Sequence, residues 1–465
     1  MGSSVGRRFR QRRWDLSIIL LIILCLSTPS WAQAKKLKLN HVETSFGKLP
    51  AGARPDQLAF SPDGRHVAVA AKRPDGALVW VDGVEGKTYE WVLPASLVWS
   101  PDGGRLAFNV QRGEHLVVVI GGEEQKPYAD VSHVSFSPDG KRFAYTAKLT
   151  SNRKGTRVVL DGSEGGHYAT VAARTLTFSP EGKHFAFRVE EEERQYWVID
   201  GTETAAFDRV GPISFSKDGT RHGYTAERGG KQFIVIDGKP GKEYDGAGGL
   251  LFSADGKRTG YAARRGTRQL AVIDGVEGKE YDRVAEPIFS PDGRRYAYEA
   301  IRNKRIMVVA DGEEQRTYDA IGEARFSNDG RRLGYRGVAD KKFVLVIDGV
   351  EGENYDRIGA WQMNDDGSRV AYAARNGTED FLVLDGKRLP GAGHVTMSPG
   401  DGRYVAHSRD AAGKTTVLMV NETEGNAYDG FLAGSRWVFH APNRFTCIAG
   451  KAGQIVRVEV EIVEE

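Results

Sequence analysis

One five-residue phrase recurs along the chain and constrains its fold more than any other feature. It reads FSPDG at Phe60, WSPDG at Trp99, FSPDG at Phe136, FSPEG at Phe178, FSKDG at Phe215, FSADG at Phe252, FSPDG at Phe289 and FSNDG at Phe326, then decays to MNDDG at Met363 and MSPGDG at Met397. Its acidic residue stands at 63, 102, 139, 181, 218, 255, 292, 329, 366 and 401, in steps of 39, 37, 42, 37, 37, 37, 37, 37 and 35. A period near 37 held through ten copies cannot arise from composition. It marks a repeat architecture whose units bury their apolar faces only by stacking on one another. Trp437 to Ala449 reads as an eleventh, decayed copy.

Each unit predicts four short strands. In the seventh copy these are Glu286 to Ser290, Arg295 to Ala300, Arg305 to Ala310 and Arg316 to Ile321, rich in β-branched and aromatic residues and bounded by Gly, Asp and Pro. No stretch beyond the N-terminal leader holds a helical period, so the expectation is all β. Pro291 presets the turn, Asp292 accepts backbone hydrogens and Gly293 relieves the left-handed position, which makes the Asp series structural.

Further columns run in step with the turn. Four residues past its Gly a small residue recurs: Ala68, Ala107, Ala144, Ala186, Gly223, Gly260, Ala297, Gly334, Ala371 and Ala406. An aromatic usually follows, from Phe108 to Tyr372, as packing between stacked sheets requires. Counting from Asn443 puts Cys447 in the small slot of the decayed copy, a buried role rather than a catalytic one. Two residues past the turn Gly stand His66, Arg105, Arg142, His184, Arg221, Arg258, Arg295, Arg332 and Arg369. The fourth strand offers Asp208, Asp245, Asp282, Asp319, Asp356 and Asp429, and pairing between these two columns is the expectation.

The phrase FSPDG-x-x-x-A-Y, a strand ending V-x-D-G and a short fourth strand together resemble the blades of WD-repeat-like, TolB-type β-propellers, over nearly all of residues 50 to 450. The resemblance implies about eleven four-stranded blades of about 37 residues, closed as two rings or as one large ring. It does not extend to the α/β domain of TolB, nor to the prolyl-oligopeptidase arrangement, since no G-x-S-x-G elbow follows. The strand-like Leu37 to Phe46 is expected to complete the last sheet beside Gln454 to Val463.

Residues 1–34 carry Arg7, Arg8, Arg10, Arg12 and Arg13, an apolar run from Leu16 to Leu26, and small residues at Ser30, Ala32 and Ala34. That order predicts a secretory signal cleaved after Ala32 or Ala34, leaving 35–465 as the repeat region in the periplasm or outside the cell. Cys447 is then the only cysteine, so no disulfide joins the mature chain. With 65 Lys and Arg against 62 Asp and Glu, no basic field for nucleic acid is present. The His residues show no metal-ligand spacing, and no catalytic set, metal site or cofactor motif is legible. Asn376 and Asn421 match the glycosylation pattern.

A ligand site should break the repeat. The breaks are Leu149 to Arg157, the acidic run Glu190 to Glu193, the insertion near Gly400, and Trp80, Trp91 and Trp361, read as exposed. The functional expectation is an exported, non-enzymatic propeller that binds a protein, a peptide or an envelope component. The alternative is a propeller enzyme such as a polysaccharide lyase or hydrolase, with its acid and base on different blades.

Overall fold

The computed structural model describes residues 36–150, 155–172, 174–391, 395–411, 415–432 and 434–465. The predicted leader and residues 151–154 of the long loop lie outside these. Ten sheets follow the repeat, numbered here by their acidic turn residue, so that blade 1 carries Asp63 and blade 10 carries Asp401. An eleventh sheet closes the series. Blade 6 is typical: Gly246–Phe252, Thr259–Arg265, Arg268–Ile273 and Val276–Glu277 form one antiparallel meander. In blade 7 the fourth strand is Glu313–Tyr318, and Ala320–Phe326 already belongs to blade 8, so the predicted end at Ile321 runs past the crossover between blades.

Local chemistry fixes both turns at one end of each sheet. Ser290 Oγ donates to Asp292 Oδ1 (2.6 Å) and accepts from Arg295 N (2.9 Å). Asp292 Oδ1 also accepts from Arg294 N (3.1 Å), and this hydroxyl and amide hold the Asp292 carboxyl below its ordinary value. The third and fourth strands meet at an Asp-Gly pair, Asp311 (φ 52) and Gly312 (φ 88), whose left-handed backbone matches the strand twist. This end is the turn face. The crossover face, opposite, carries the hairpins between second and third strands and the passages from each blade to the next.

Eleven buried apolar clusters each draw on two consecutive sheets, from blade 1 to blade 11 and back to blade 1. Of the two closures the sequence allows, the chain therefore takes the single ring. Short side chains tie the first strands together, as in Ser135 Oγ to Leu176 O (3.1 Å) and Ser214 Oγ to Leu250 O (2.7 Å). Long ones span the fourth strands, as in Lys242 to Glu277 (2.7 Å) and Lys87 to Glu124 (2.6 Å). Spacing that widens from first to fourth strand is what a ring of radial sheets requires, with first strands toward the axis. The eleventh sheet carries the N-terminal strand Leu37–Gly47 antiparallel on the C-terminal strand Gln454–Glu464, from Leu37 opposite Glu464 to Gly47 opposite Ile455.

The small column faces the following blade. Its seven alanines are fully buried, and a Cβ on Gly334 would come within 2.6 Å of the Trp361 ring. The aromatic column faces the preceding blade, with Tyr298 edge-on to Tyr281. The decayed copy is one residue out of the predicted alignment. Its turn places Thr446, opposite Val438, in the small slot beside blade 1, and Cys447 takes the large slot toward blade 10. The thiol is buried there, which pushes its pKa well above the ordinary range.

The basic column does not meet the fourth-strand carboxylates. Arg221, Arg258, Arg295 and Arg369 pair instead with Asp237, Asp274, Asp311 and Asp385 of the V-x-D-G turn, at 2.8–2.9 Å. The third strand lies beside the second and brings that turn next to the arginine. The predicted acids sit at the opposite end. Asp245 and Asp282 accept from Gly266 N (2.6 Å) and Asn303 N (2.7 Å), capping the hairpin of the next blade.

Candidate functional site

The longest step of the repeat, 42 residues between Asp139 and Glu181, resolves into two insertions. Tyr145 to Asp161 spans 16 residues where Tyr224 to Asp237 spans 13, and Asp161 to Glu181 spans 20 where Asp200 to Asp218 spans 18. The first lengthens the hairpin between Phe143–Lys148 and Thr156–Leu160 of blade 3, and the second separates Thr170–Val171 from Thr177–Phe178 in blade 4. The described residues beside both insertions lie on the crossover face and line one cleft of about 960 Å³ between blades 3 and 4.

The cleft has an apolar floor of Val131, Val134, Ala147, Val171 and Ala172, all buried, and a charged rim of Asp130, His133, Lys148, Arg174 and Glu190 to Glu192. At other seams a long side chain crosses from one blade to the next. Two residues past the small column, Arg336 reaches across its seam to the carbonyls of Ile358 (2.8 Å) and Gly359 (3.0 Å), and Arg188 reaches Val210 O (3.1 Å). In blade 3 the shorter Thr146 takes this slot and lines the cleft. Thr225 does the same in blade 5, where a second cleft of about 710 Å³ lies against Gly248, Gly249 and Glu286.

The rim is ordered by its own contacts. Asp130 pairs with Lys148 at 3.4 Å, and His133 Nε2 meets the Ala95 carbonyl of blade 2 at 3.1 Å. Thr175 Oγ1 donates to Ala172 O (2.8 Å) and accepts from Arg188 N (3.1 Å), which closes the widened first strand and projects Arg174 in the left-handed region (φ 60). Glu190 accepts from Arg188 (3.1 Å) and Gln195 (3.2 Å). Glu191 accepts from the Tyr196 hydroxyl (3.2 Å), whose pKa burial and then Glu203 and Glu191 push up to about 12, keeping it a donor. Glu192 and Glu193 form the hairpin tip at positive φ. Trp91, on the same face of blade 2, is 42% exposed, with Lys72 Nζ 5.9 Å from its ring.

Of the predicted breaks, the structure thus brings together the described ends of Leu149 to Arg157 and the run Glu190 to Glu193. It places Trp91 on the same face, one blade away. Trp80 and Trp361 are not exposed: at 2% and 1% they are core residues. Trp80 packs with Phe46 and Ile455 at the closing seam, and Trp361 lies over Gly334 with the Arg325 guanidinium 4.4 Å above it. The insertion near Gly400 lies on the turn face, where Gly400 N donates to Asp365 (2.8 Å). Asn421 fills the Asp position of the V-x-D-G turn and accepts from Val405 N (2.9 Å), which engages it inside the fold. Among the described residues, no three His, Cys, Asp or Glu side chains stand close enough to hold a metal ion, and no helix is long and apolar enough to cross a membrane.

No protein-family model matches the sequence, and no curated protein matches it. Solved structures show a distant similarity. The chain is similar to a structure described as the eukaryotic initiation factor, at 8% identity over 78% of this chain and 97% of that one, with a TM-score of 0.41. It is also similar to the Dos1 propeller, at 10% identity over 72% and 97% of the two chains and a TM-score of 0.33. A putative TolB from Agrobacterium tumefaciens is similar at 17% identity over 46% and 90%, with a TM-score of 0.24. In its repeated blade motif the chain resembles TolB-type and WD-repeat-like propellers, and at these scores the structural matches carry no argument.

Proposed function

We propose that the chain is an exported, non-enzymatic propeller that binds a protein, a peptide or an envelope component through the crossover face of blades 2 to 4. One observation carries this reading. In a chain whose other steps run from 35 to 39 residues, both insertions of the 42-residue step adjoin a single cleft with an apolar floor and a charged rim. Such a floor supplies contact area, and the rim supplies orientation and selectivity. Trp91 adds an exposed aromatic of the kind that anchors protein contacts. Export rests on the arginine-rich start, the short apolar run and the small residues before Gln33 and Lys35.

The test is affinity capture from envelope fractions with three forms of the protein: wild type, Val171→Glu with Trp91→Ala, and Arg294→Glu on the turn face. The reading expects a partner held by wild type and by R294E and lost from the double variant. A partner held equally by all three removes the cleft from the account. The same preparation should start at Gln33 or Lys35, and retention of Met1 in the membrane fraction would contradict export by a cleaved signal.

A further inference from the structure

At seams between blades a tyrosine and a cation of one fourth strand converge on a glutamate of the next. Tyr281 and Lys279 meet Glu314 at 3.0 and 3.4 Å, and Tyr244 and Lys242 meet Glu277 at 2.9 and 2.7 Å. Where the ring closes, the receiving strand is the chain's own N-terminal strand, and the staple is altered. Glu43 Oε1 accepts from the Tyr428 hydroxyl (3.0 Å) and from Asn426 Nδ2 (2.9 Å), while Oε2 takes Lys451 Nζ (2.5 Å) from the hairpin of its own sheet.

His41 lies two residues before Glu43 on the same face of this strand. Its Nδ1 is 3.4 Å from the Tyr428 hydroxyl, and its Nε2 is buried with no partner. A Cβ on Gly425 would come within 2.7 Å of Nε2, so the ring is pressed against the backbone of blade 10. The Tyr428 hydroxyl gives its hydrogen to Glu43, which leaves its oxygen to accept from His41 Nδ1–H. Nε2 is then a bare acceptor, and the site fits only the neutral ring. A second proton would bury a charged N–H without an acceptor, close to the Lys451 ammonium, against a Glu43 carboxylate already engaged three times. The surrounding charges are committed elsewhere: Glu424 to Arg409, Glu459 to Arg457 (3.0 Å) and Glu461 to Arg444 (3.0 Å).

We infer that the closing seam is an acid-released latch, in which protonation of His41 strips the N-terminal strand from blade 10 and from its ladder on Gln454–Glu464, opening the ring at one place. Burial first, and Lys451 after it, lower the His41 pKa from its ordinary 6.5, with Glu43 opposing. The open form therefore binds the proton more readily than the closed one. Closure is complete above pH 6.5 and weakens as the pH falls, by about tenfold per pH unit until the folded-state pKa is reached. Release would bare the edge of Gln454–Glu464, whose eleven residues exceed the outer strands of the other blades.

Hydrogen exchange of the full-length protein between pH 7.5 and 5, corrected for intrinsic rates, tests this. Amides of 37–47 should lose protection about tenfold per pH unit below 6.5 while those of 305–318 in blade 7 hold theirs. The slope should vanish in His41→Gln and persist in His407→Gln, which changes the fully buried histidine of blade 10. An unchanged slope in H41Q, or full protection of 37–47 at pH 5 in wild type, overturns the latch. If H41Q does not fold, the NMR titration of His41 in wild type decides: a pKa below 6.5 supports the inference and one at or above 6.5 overturns it.

Discussion

Replacing Arg295 by Ala tests how the seams are held. Three contacts disappear. The Nε to Asp311 pair at 2.8 Å is about one-third exposed on both sides, and such a pair contributes about 0–1 kcal/mol. The Nη1 hydrogen bond to the Arg331 carbonyl of blade 8, 2.6 Å, adds about 1 kcal/mol. The guanidinium over Phe326, 5.3 Å from the ring centre, adds about 0.5–1 kcal/mol. Asp311 keeps the Tyr296 amide at 2.9 Å, so no carboxylate is stranded and the loss should be about 2 kcal/mol. Arg258 makes the same three contacts, to Asp274 (2.8 Å), to Arg294 O (2.7 Å) and over Phe289 (5.3 Å), and adds Gly293 O (3.3 Å) and the Tyr296 ring (5.5 Å), so R258A should cost at least as much. Arg332 pairs with Asp348 at 3.2 Å, but its neighbouring blade offers Met363 where the others offer phenylalanine, so R332A should cost about half as much. Urea unfolding measures the series, with hydrogen exchange at each seam as a check, because a repeat array need not unfold in two states. Equal losses in all three, or a loss under about 0.5 kcal/mol for R295A, would refute the seam account and reduce the column to pairs within each blade.

Three further outcomes are expected. Gly334→Ala forces a Cβ to within 2.6 Å of Trp361 and should destabilise by about 1–3 kcal/mol; adding Trp361→Leu should recover part of the loss, and no recovery would place the strain elsewhere. Hydrogen bonds from Arg302 chiefly, and then Tyr281, hold the Glu314 carboxyl at about 2, below its ordinary 4.5. Its stabilisation is present above pH 4.5 and lost as the pH falls toward 2, so Glu314→Gln should flatten acid unfolding in that window, and an unchanged acid limb contradicts the staple. Deleting 37–47 bares the edge of Gln454–Glu464 and should lower the melting temperature and promote association, measured by calorimetry and light scattering; an unchanged melting temperature would mean that the strand closes nothing.

The blades were legible because each residue in them answers to a neighbour one period away. Turn chemistry at Ser290 to Gly293 is local, and the alternation of Ala297 and Tyr298 needs only the adjacent sheets. The number of rings was not legible, since it follows from the small angle between consecutive sheets, which sums side-chain sizes on both faces and leaves no mark at any one residue. The partner of the basic column was misplaced because the acids after the fourth-strand aromatics recur as regularly as those of V-x-D-G. A usable signal was present: blade 10 lacks both halves of the pair, with Tyr404 and Asn421 in their places. Trp361 had its counterpart in the missing Cβ of Gly334. The cleft could have been located by dividing the 42-residue step at Asp161, which puts an insertion on each side of one seam.

Eleven sheets form one ring, closed by the N-terminal strand on the C-terminal one. Single-particle images viewed down the axis count the blades directly. One ring of eleven around a single channel is the expected result, and two smaller rings in one particle would contradict the account.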